Sequence, residues 1–238
     1  MSVAQVTRDF ISNIDNGKIF TYDSIPSNKK STVAIELSRL YKQGTIKKLS
    51  RGKYYKSRQT AFGEVGRPSS QDKLESYMNS STASYTTGLD SFRKLGLTTQ
   101  VPNVITIASD RSNQRVKVDN LNIKFVRKRV DAPANQTYLL KILDALKDIK
   151  SIPGTSVNEA LKKLKNIIFK LNVNQQKKLA VYVTKYTPRT KVLLGAILKD
   201  LGLWEEAYKI KRQLNPLTKY KLGISDGALK NKKEWGII

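Results

Sequence analysis

Between Ser27 and Arg58 the chain carries ten lysines and arginines against one acid, Glu36. A stretch this basic folds only if its few apolar residues fall where they can close a core, and their spacing allows it. Val3, Val6, Phe10, Ile11 and Ile14 lie three, four, one and three apart, one face of a helix. Ser2 precedes that run as an N-cap, and Gly17 follows it. Ile19-Phe20-Thr21 reads as a short extended piece, and residues 22–25 as one helical turn before Pro26. Ser27 is the next N-cap. The spacing then predicts a helix over residues 29–43 with Val33, Leu37, Leu40 and Tyr41 on one face and Gly44 as its C′ residue. Residues 45–49 and 53–56 read as two strands joined by the turn Ser50-Arg51-Gly52.

Helix, strand, short helix, helix and hairpin in that order is the layout of a winged helix-turn-helix. Such a motif enters the DNA major groove with the N-terminal residues of its second helix. Here those residues are Ser27, Asn28, Lys29, Lys30, Ser31 and Thr32, with Arg39 further along. Cations with almost no acids among them suit a phosphate backbone. Gly52 permits a positive φ at the hairpin tip. The flanking Arg51 and Lys53 then project toward a minor groove or adjacent phosphates. Tyr54 and Tyr55 alternate across their strand: either one packs and the other faces sugar or phosphate, or both pack.

The 238 residues include 44 Lys and Arg against 19 Asp and Glu, a formal net charge of +25 spread along the chain. That favours a polyanionic partner, with nucleic acid first. Without cysteine there is no disulfide framework, thiol nucleophile or thiolate metal site. Without histidine there is no Ser-His-Asp triad, HExxH zinc site or imidazole acid–base group. No apolar stretch approaches the ~18–20 residues of a membrane span. The first ten residues also lack a signal-peptide apolar core, so a soluble, cytoplasmic protein without membrane contact is expected.

The chain reads as a first domain over 1–58, a Gly/Pro/Ser linker over 59–72, a larger domain over 73–215, and a basic tail over 216–238. The tail is expected to be irregular, docked through Trp235, Ile237 and Ile238. In the larger domain a helix over 71–78 precedes strands over 101–108, 115–118 and 122–130, with a turn at 110–113. Helices over 137–149, 156–171, 174–185 and 189–201 follow, so the fold class is α+β. Ser156 and Glu159 have capping-box spacing. Arg189 and Lys191 open the last helix. Cations there oppose the helix dipole and suggest a bound phosphate; a solvated first turn or an internal ion pair is the competing reading. Arg111, Arg115, Lys117, Lys124, Arg127, Lys128 and Arg129 face one acid, Asp119, between Asp110 and Val130. They form a second nucleic-acid surface or a solubilising face. Asp144 with Asp148, and Glu205 with Glu206, are interleaved with lysines and read as helical salt bridges on exposed faces. No catalytic residue, metal site or cofactor is expected.

The run Ile19-Phe20-Thr21-Tyr22, then Val33-Ala34-Ile35-Glu36-Leu37-Ser38-Arg39-Leu40 and Gly44-Thr45-Ile46-Lys47-Lys48-Leu49-Ser50-Arg51-Gly52-Lys53-Tyr54-Tyr55, resembles the N-terminal winged helix of AbiEi-type antitoxins. Tyr85-Thr86-Thr87-Gly88-Leu89, Gly96-Leu97-Thr98-Thr99-Gln100-Val101-Pro102, Ile123-Lys124-Phe125-Val126-Arg127 and Pro188-Arg189-Thr190-Lys191-Val192-Leu193-Leu194-Gly195-Ala196-Ile197-Leu198 extend the resemblance over roughly residues 5–205. It implies a transcriptional autoregulator that binds inverted repeats in double-stranded DNA ahead of its own abortive-infection operon. It also implies opposition to a nucleotidyltransferase-like AbiEii-type toxin without a stable complex. A structural or ribosome-associated RNA-binding protein would suit the charge but calls for aromatic stacking surfaces or RNA shape readout. The aromatics here, 8% of residues, fall at core-like spacings. A nuclease would need clustered acids for metal, and no such cluster is evident.

Overall fold

Ser2 caps the first helix, α1 (Val3–Asn13), its Oγ accepting the Gln5 N–H at 3.2 Å. Strand β1 (Ile19–Phe20) and a single 3-10 turn (Tyr22–Ser24) lead to α2 (Lys30–Lys42). The hairpin β2 (Lys47–Ser50) and β3 (Lys53–Tyr55) follows, with Gly52 at φ +73° in its turn. The three strands form one antiparallel sheet in the order β1-β3-β2, with Phe20 opposite Tyr54. Ile11, Phe20, Ile25, Val33, Leu37, Leu40 and Ile46 make the core. Phe20 meets Phe10 edge-on at 5.7 Å and stacks on Tyr54 at 6.2 Å.

Two local expectations need correction. Ser27 is not the N-cap of α2. Its Oγ accepts the Lys29 N–H at 3.3 Å, a local turn that delays the helix and leaves Lys29 as the cap residue. Tyr41 is not a core residue and is 44% exposed. The buried face of α2 runs through Val33, Glu36, Leu37 and Leu40, so it includes an acid on one edge and excludes the aromatic on the other.

The structure describes residues 1–78, 83–111 and 114–238, as a computed structural model. The chain divides into two units, Met1–Asn79 with Lys117–Leu121, and Ser80–Val116 with Asn122–Ile238. The 59–72 stretch, read as a linker, holds most of a second hairpin, β4 (Arg58–Thr60) with β5 (Gly63–Val65), and the start of α3 (Ser70–Met78). Gly66 lets this hairpin close on the α1–β1 turn: a Cβ there would stand 2.6 Å from Asn16 Cβ, and its φ is +87°. Helix α3 belongs to the first unit. Tyr77 donates to Ser50 Oγ at 2.9 Å, tying it to the β2–β3 hairpin.

After α3 come β6 (Tyr85–Thr87), α4 (Leu89–Lys94) and β7 (Ile105–Ser109) of the second unit, then β8 (Arg115–Val118) and β9 (Leu121–Arg127), of which Lys117, Val118 and Leu121 fall in the first. The sheet order is β6-β7-β9-β8. Strands β6 and β7 are antiparallel, and β7 and β9 parallel, with Ile107 beside Phe125. Five helices follow: α5 (Thr137–Lys147), α6 (Val157–Phe169), α7 (Val173–Tyr182), α8 (Pro188–Asp200) and α9 (Trp204–Lys211). The class is α+β, as the order of strands and helices implied. Leu139, Ile142, Leu143 and Leu146 of α5 are buried with Leu161, Leu164 and Ile168 of α6. The Ser156–Glu159 capping box forms in both directions, at 3.2 and 3.0 Å. Strand β6 and helices α4 and α9 were not anticipated. Three residues are too few to show a period, and α9 turns Trp204 and Tyr208 outward. Part of the turn at 110–113 lies outside the described residues.

The basic tail docks on the core through a few apolar residues, Trp235 and Ile237 among them as expected. Leu222, Ile224, Leu229, Trp235 and Ile237 are buried in the second unit, while Ile238 is exposed. Tyr220 bridges Ile237 in parallel. Trp235 lies directly on Gly195 of α8, where an added Cβ would stand 2.4 Å from two ring carbons. Trp235→Ala should therefore lower unfolding stability by about 3–5 kcal/mol. Gly195→Val should destabilise by overpacking the same contact. Urea unfolding of the full chain reads both effects, and an unchanged midpoint for Trp235→Ala would show the tail to be detachable.

Candidate nucleic-acid interface

Helix α2 turns Val33, Leu37 and Leu40 inward and leaves Ser31, Thr32, Ile35, Ser38, Arg39 and Lys42 exposed. Its only acid, Glu36, is buried between two arginines. Arg8 Nε of α1 lies 3.0 Å from one carboxylate oxygen, and Arg39 Nη1 lies 3.2 Å from the other. Glu36 thus docks α2 on α1 and removes negative charge from the outer face.

The sequence-derived set separates into two groups. Asn28, Lys29, Ser31 and Thr32 are exposed together around the first turn of α2, and Arg51 is exposed at the β2–β3 turn. Lys30 is drawn back: its ammonium donates to the carbonyls of Tyr22, Asp23 and Ile25 at 3.5, 3.4 and 3.2 Å. It holds the 3-10 turn against α2. Lys53 is also turned inward. It donates to the Ser76 carbonyl and to Ser76 Oγ at 3.0 Å, and stands 3.5 Å over the Tyr77 ring. Ser27 is half-buried in its local turn, and Arg39 is tied to Glu36. Arg8 and Glu36 are positioning residues the reading missed. The lone acid in a basic run was their signal.

In the second unit, Arg127 and Arg189 are exposed. Arg129 covers the Tyr186 ring at 5.7 Å, and Lys191 donates to Gln213 at 3.1 Å. Lys128 leaves the basic cluster. Its side chain is 4% exposed and lies between Asp110 at 3.1 Å and Asp131 at 2.7 Å. Among the described residues, no group of three or more Asp and Glu side chains gathers as a metal-ligand set.

Asp144 overturns the exposed-face reading. It is 5% exposed, with hydroxyls on both oxygens. Thr87 Oγ1 at 2.6 Å and Tyr85 Oη at 3.1 Å donate to Oδ2, and Tyr186 Oη at 3.0 Å donates to Oδ1. Burial pushes the carboxyl above its ordinary range, against the opposing pull of the Thr87 hydroxyl and Lys147. Burial and the Asp144 charge also push both tyrosines up. The group is a closed polar knot joining β6, α5 and the segment before α8. Asp148 pairs with Lys147 at 3.1 Å, and Glu206 is buried beside exposed Glu205.

A family model described as a family of unknown function, DUF6088, matches residues 6–179. No curated protein matches the chain. Among solved structures, the crystal structure of the RV2827C protein from Mycobacterium tuberculosis is similar with a TM-score of 0.48 at 10% identity. It covers 91% of this chain and 82% of that one.

Asp144 gives the fold a pH signature. A carboxyl raised on folding contributes stability that is complete below its unfolded value, about 3.9, and is lost as pH rises through the folded value. Wild type should lose unfolding free energy as pH rises from about 3.9 through the raised folded value of Asp144, and Asp144→Asn should flatten that part of the profile. Parallel slopes in urea titrations would reject this assignment.

Proposed function

The chain belongs to the DUF6088 family of unknown function, and we propose that its first unit is a winged helix-turn-helix that binds double-stranded DNA. The supporting observation is the division of charge on α2: its one acid is buried against Arg8 and Arg39, and the outer face carries cations and no exposed acid. In this reading the N-terminal turn of α2 enters the major groove with Asn28, Ser31 and Thr32 at base edges. Lys29 and Lys42 stand at the two ends of the helix, about 20 Å apart at 1.5 Å per residue, placed for phosphates on either side of the groove. Arg51 at the hairpin tip takes a flanking phosphate or the minor groove. Lys30 and Lys53 hold the turn and the hairpin in shape.

The wider reading is an autorepressing antitoxin that occupies inverted repeats ahead of its own operon. One winged helix covers only a half-site, so two copies fill the repeat. Opposition to a nucleotidyltransferase-like toxin, without a stable complex, comes from the resemblance to AbiEi-type antitoxins. Arg127, Arg129 and Arg189 would add phosphate contacts from the second unit.

Anisotropy titrations against the duplex upstream of its own gene and a scrambled duplex, across a salt series, test the DNA reading. Preference for the upstream duplex should reach on the order of 10³-fold at ~150 mM salt. Lys29→Ala and Arg51→Ala should each lower the salt slope by about one. Lys53→Ala should leave the slope unchanged and lower the unfolding midpoint. Equal binding to both duplexes would reject a sequence-specific regulator. Co-expression with the neighbouring toxin should restore growth without co-purification, and failure to restore it would reject the antitoxin role.

A further inference from the structure

Ile35 is a large aliphatic side chain, 65% exposed, in the middle of the outer face of α2, where Ser31, Thr32, Ala34, Ser38 and Arg39 surround it. At about 100° per residue, Ser31, Ile35, Ser38 and Lys42 form one stripe opposite the buried Val33, Leu37 and Leu40. Ile35 therefore points directly away from the core. Its stripe neighbours one turn to either side, Ser31 and Ser38, are small. Arg39, one turn further on, is tied to Glu36 at 3.2 Å while its side chain stays 59% exposed. Ile35 thus stands proud of Ser31 and Ser38 along its stripe. Its β-branch restricts χ1, so little rotamer freedom is lost when it docks.

Single exposed aliphatics are ordinary on protein surfaces; the position of this one gives it meaning. If α2 lies in the major groove, Ile35 faces the base edges at the centre of the contact. Base pairs present hydrogen-bond donors and acceptors there, and one apolar group, the thymine C5-methyl. A ridge with no polar atom lowers its free energy in that groove only by covering that methyl. Over a G·C pair it would desolvate N7, O6 or N4 without returning a hydrogen bond.

We infer that Ile35 is a specificity-determining residue that packs on a thymine methyl, so that the bound duplex carries an A·T pair at the centre of each half-site. This rests on the DNA-binding reading of α2 and adds to it a base identity. The polar residues Asn28, Ser31 and Thr32 then read the neighbouring pairs through hydrogen bonds, while Ile35 reads one pair through apolar contact alone.

The test separates this inference from the reading beneath it. The full chain selects duplexes from a random-sequence pool. The most enriched duplex is then synthesised with thymine and with deoxyuridine, which differ by the methyl group alone. Wild type should prefer the thymine duplex about fourfold for each methyl covered, the equivalent of burying one such group. Ile35→Ala should bind both duplexes alike, near the affinity of wild type for the deoxyuridine form. Its urea midpoint should be unchanged, because the side chain is exposed. A wild type indifferent to the methyl, or Ile35→Ala retaining the preference, overturns the inference while leaving the DNA reading intact. So does a change of oligomeric state in Ile35→Ala with discrimination preserved, which would assign the side chain to a second copy. Enrichment of no sequence from the pool overturns the DNA reading and this inference with it.

Discussion

Acids are scarce in this chain, and the fold places several of them between two cations. With 44 cations and 19 acids, self-repulsion opposes compaction. Several carboxylates are therefore shared between two cations. Glu36 lies between Arg8 and Arg39, and Glu234 between Lys199 and Lys211, which hold its carboxyl below the ordinary range. Asp90 serves Arg93 and Lys94 within one helix. Glu36 matters most, because it is both an ion-pair hub and a member of the α2 core face. The bond that docks α2 on α1 is also what keeps the outer face of α2 free of negative charge.

The same economy appears within the second unit. Among the described residues no cation touches Asp144, and three hydroxyls from β6 and the segment before α8 donate to it. The hydroxyls occupy both oxygens and so reduce the cost of burying the ionised form, but burial still outweighs them and keeps the carboxyl above its ordinary range. Trp235 plays the apolar counterpart. It brings the last residues of the chain onto α8 and makes a glycine necessary at position 195. One residue closes a polar knot and the other an apolar one, and between them they attach β6 and the C-terminal segment to the helices.

Much of the secondary structure was legible because it depends on local chemistry. The Ser2 cap, the Ser156–Glu159 box, the Gly52 turn and the helix over α5 follow from capping, positive φ and apolar period, none of which needs a distant partner. The errors have one cause. Tyr41, the 59–72 stretch, Ile238 and Asp144 all depend on what lies opposite them in space. An i, i+4 pattern of Asp144 and Asp148 looks like a solvated pair until β6 arrives with Tyr85 and Thr87. A Gly-rich stretch looks like a linker until Gly66 is seen against Asn16.

For the candidate interface, the sequence alone determined which segment is basic, where its helix and hairpin lie, and that chemistry based on cysteine or histidine is absent. Those are matters of composition and short-range spacing. Only the tertiary structure decided which cations face outward. Lys29 and Lys30 are adjacent, and Arg51 and Lys53 nearly so, yet one of each pair is exposed and the other is bound to a carbonyl or packed on a ring. A lysine stem is long enough to serve either purpose, and the choice depends on whether a partner brought close by the fold binds the ammonium better than water does.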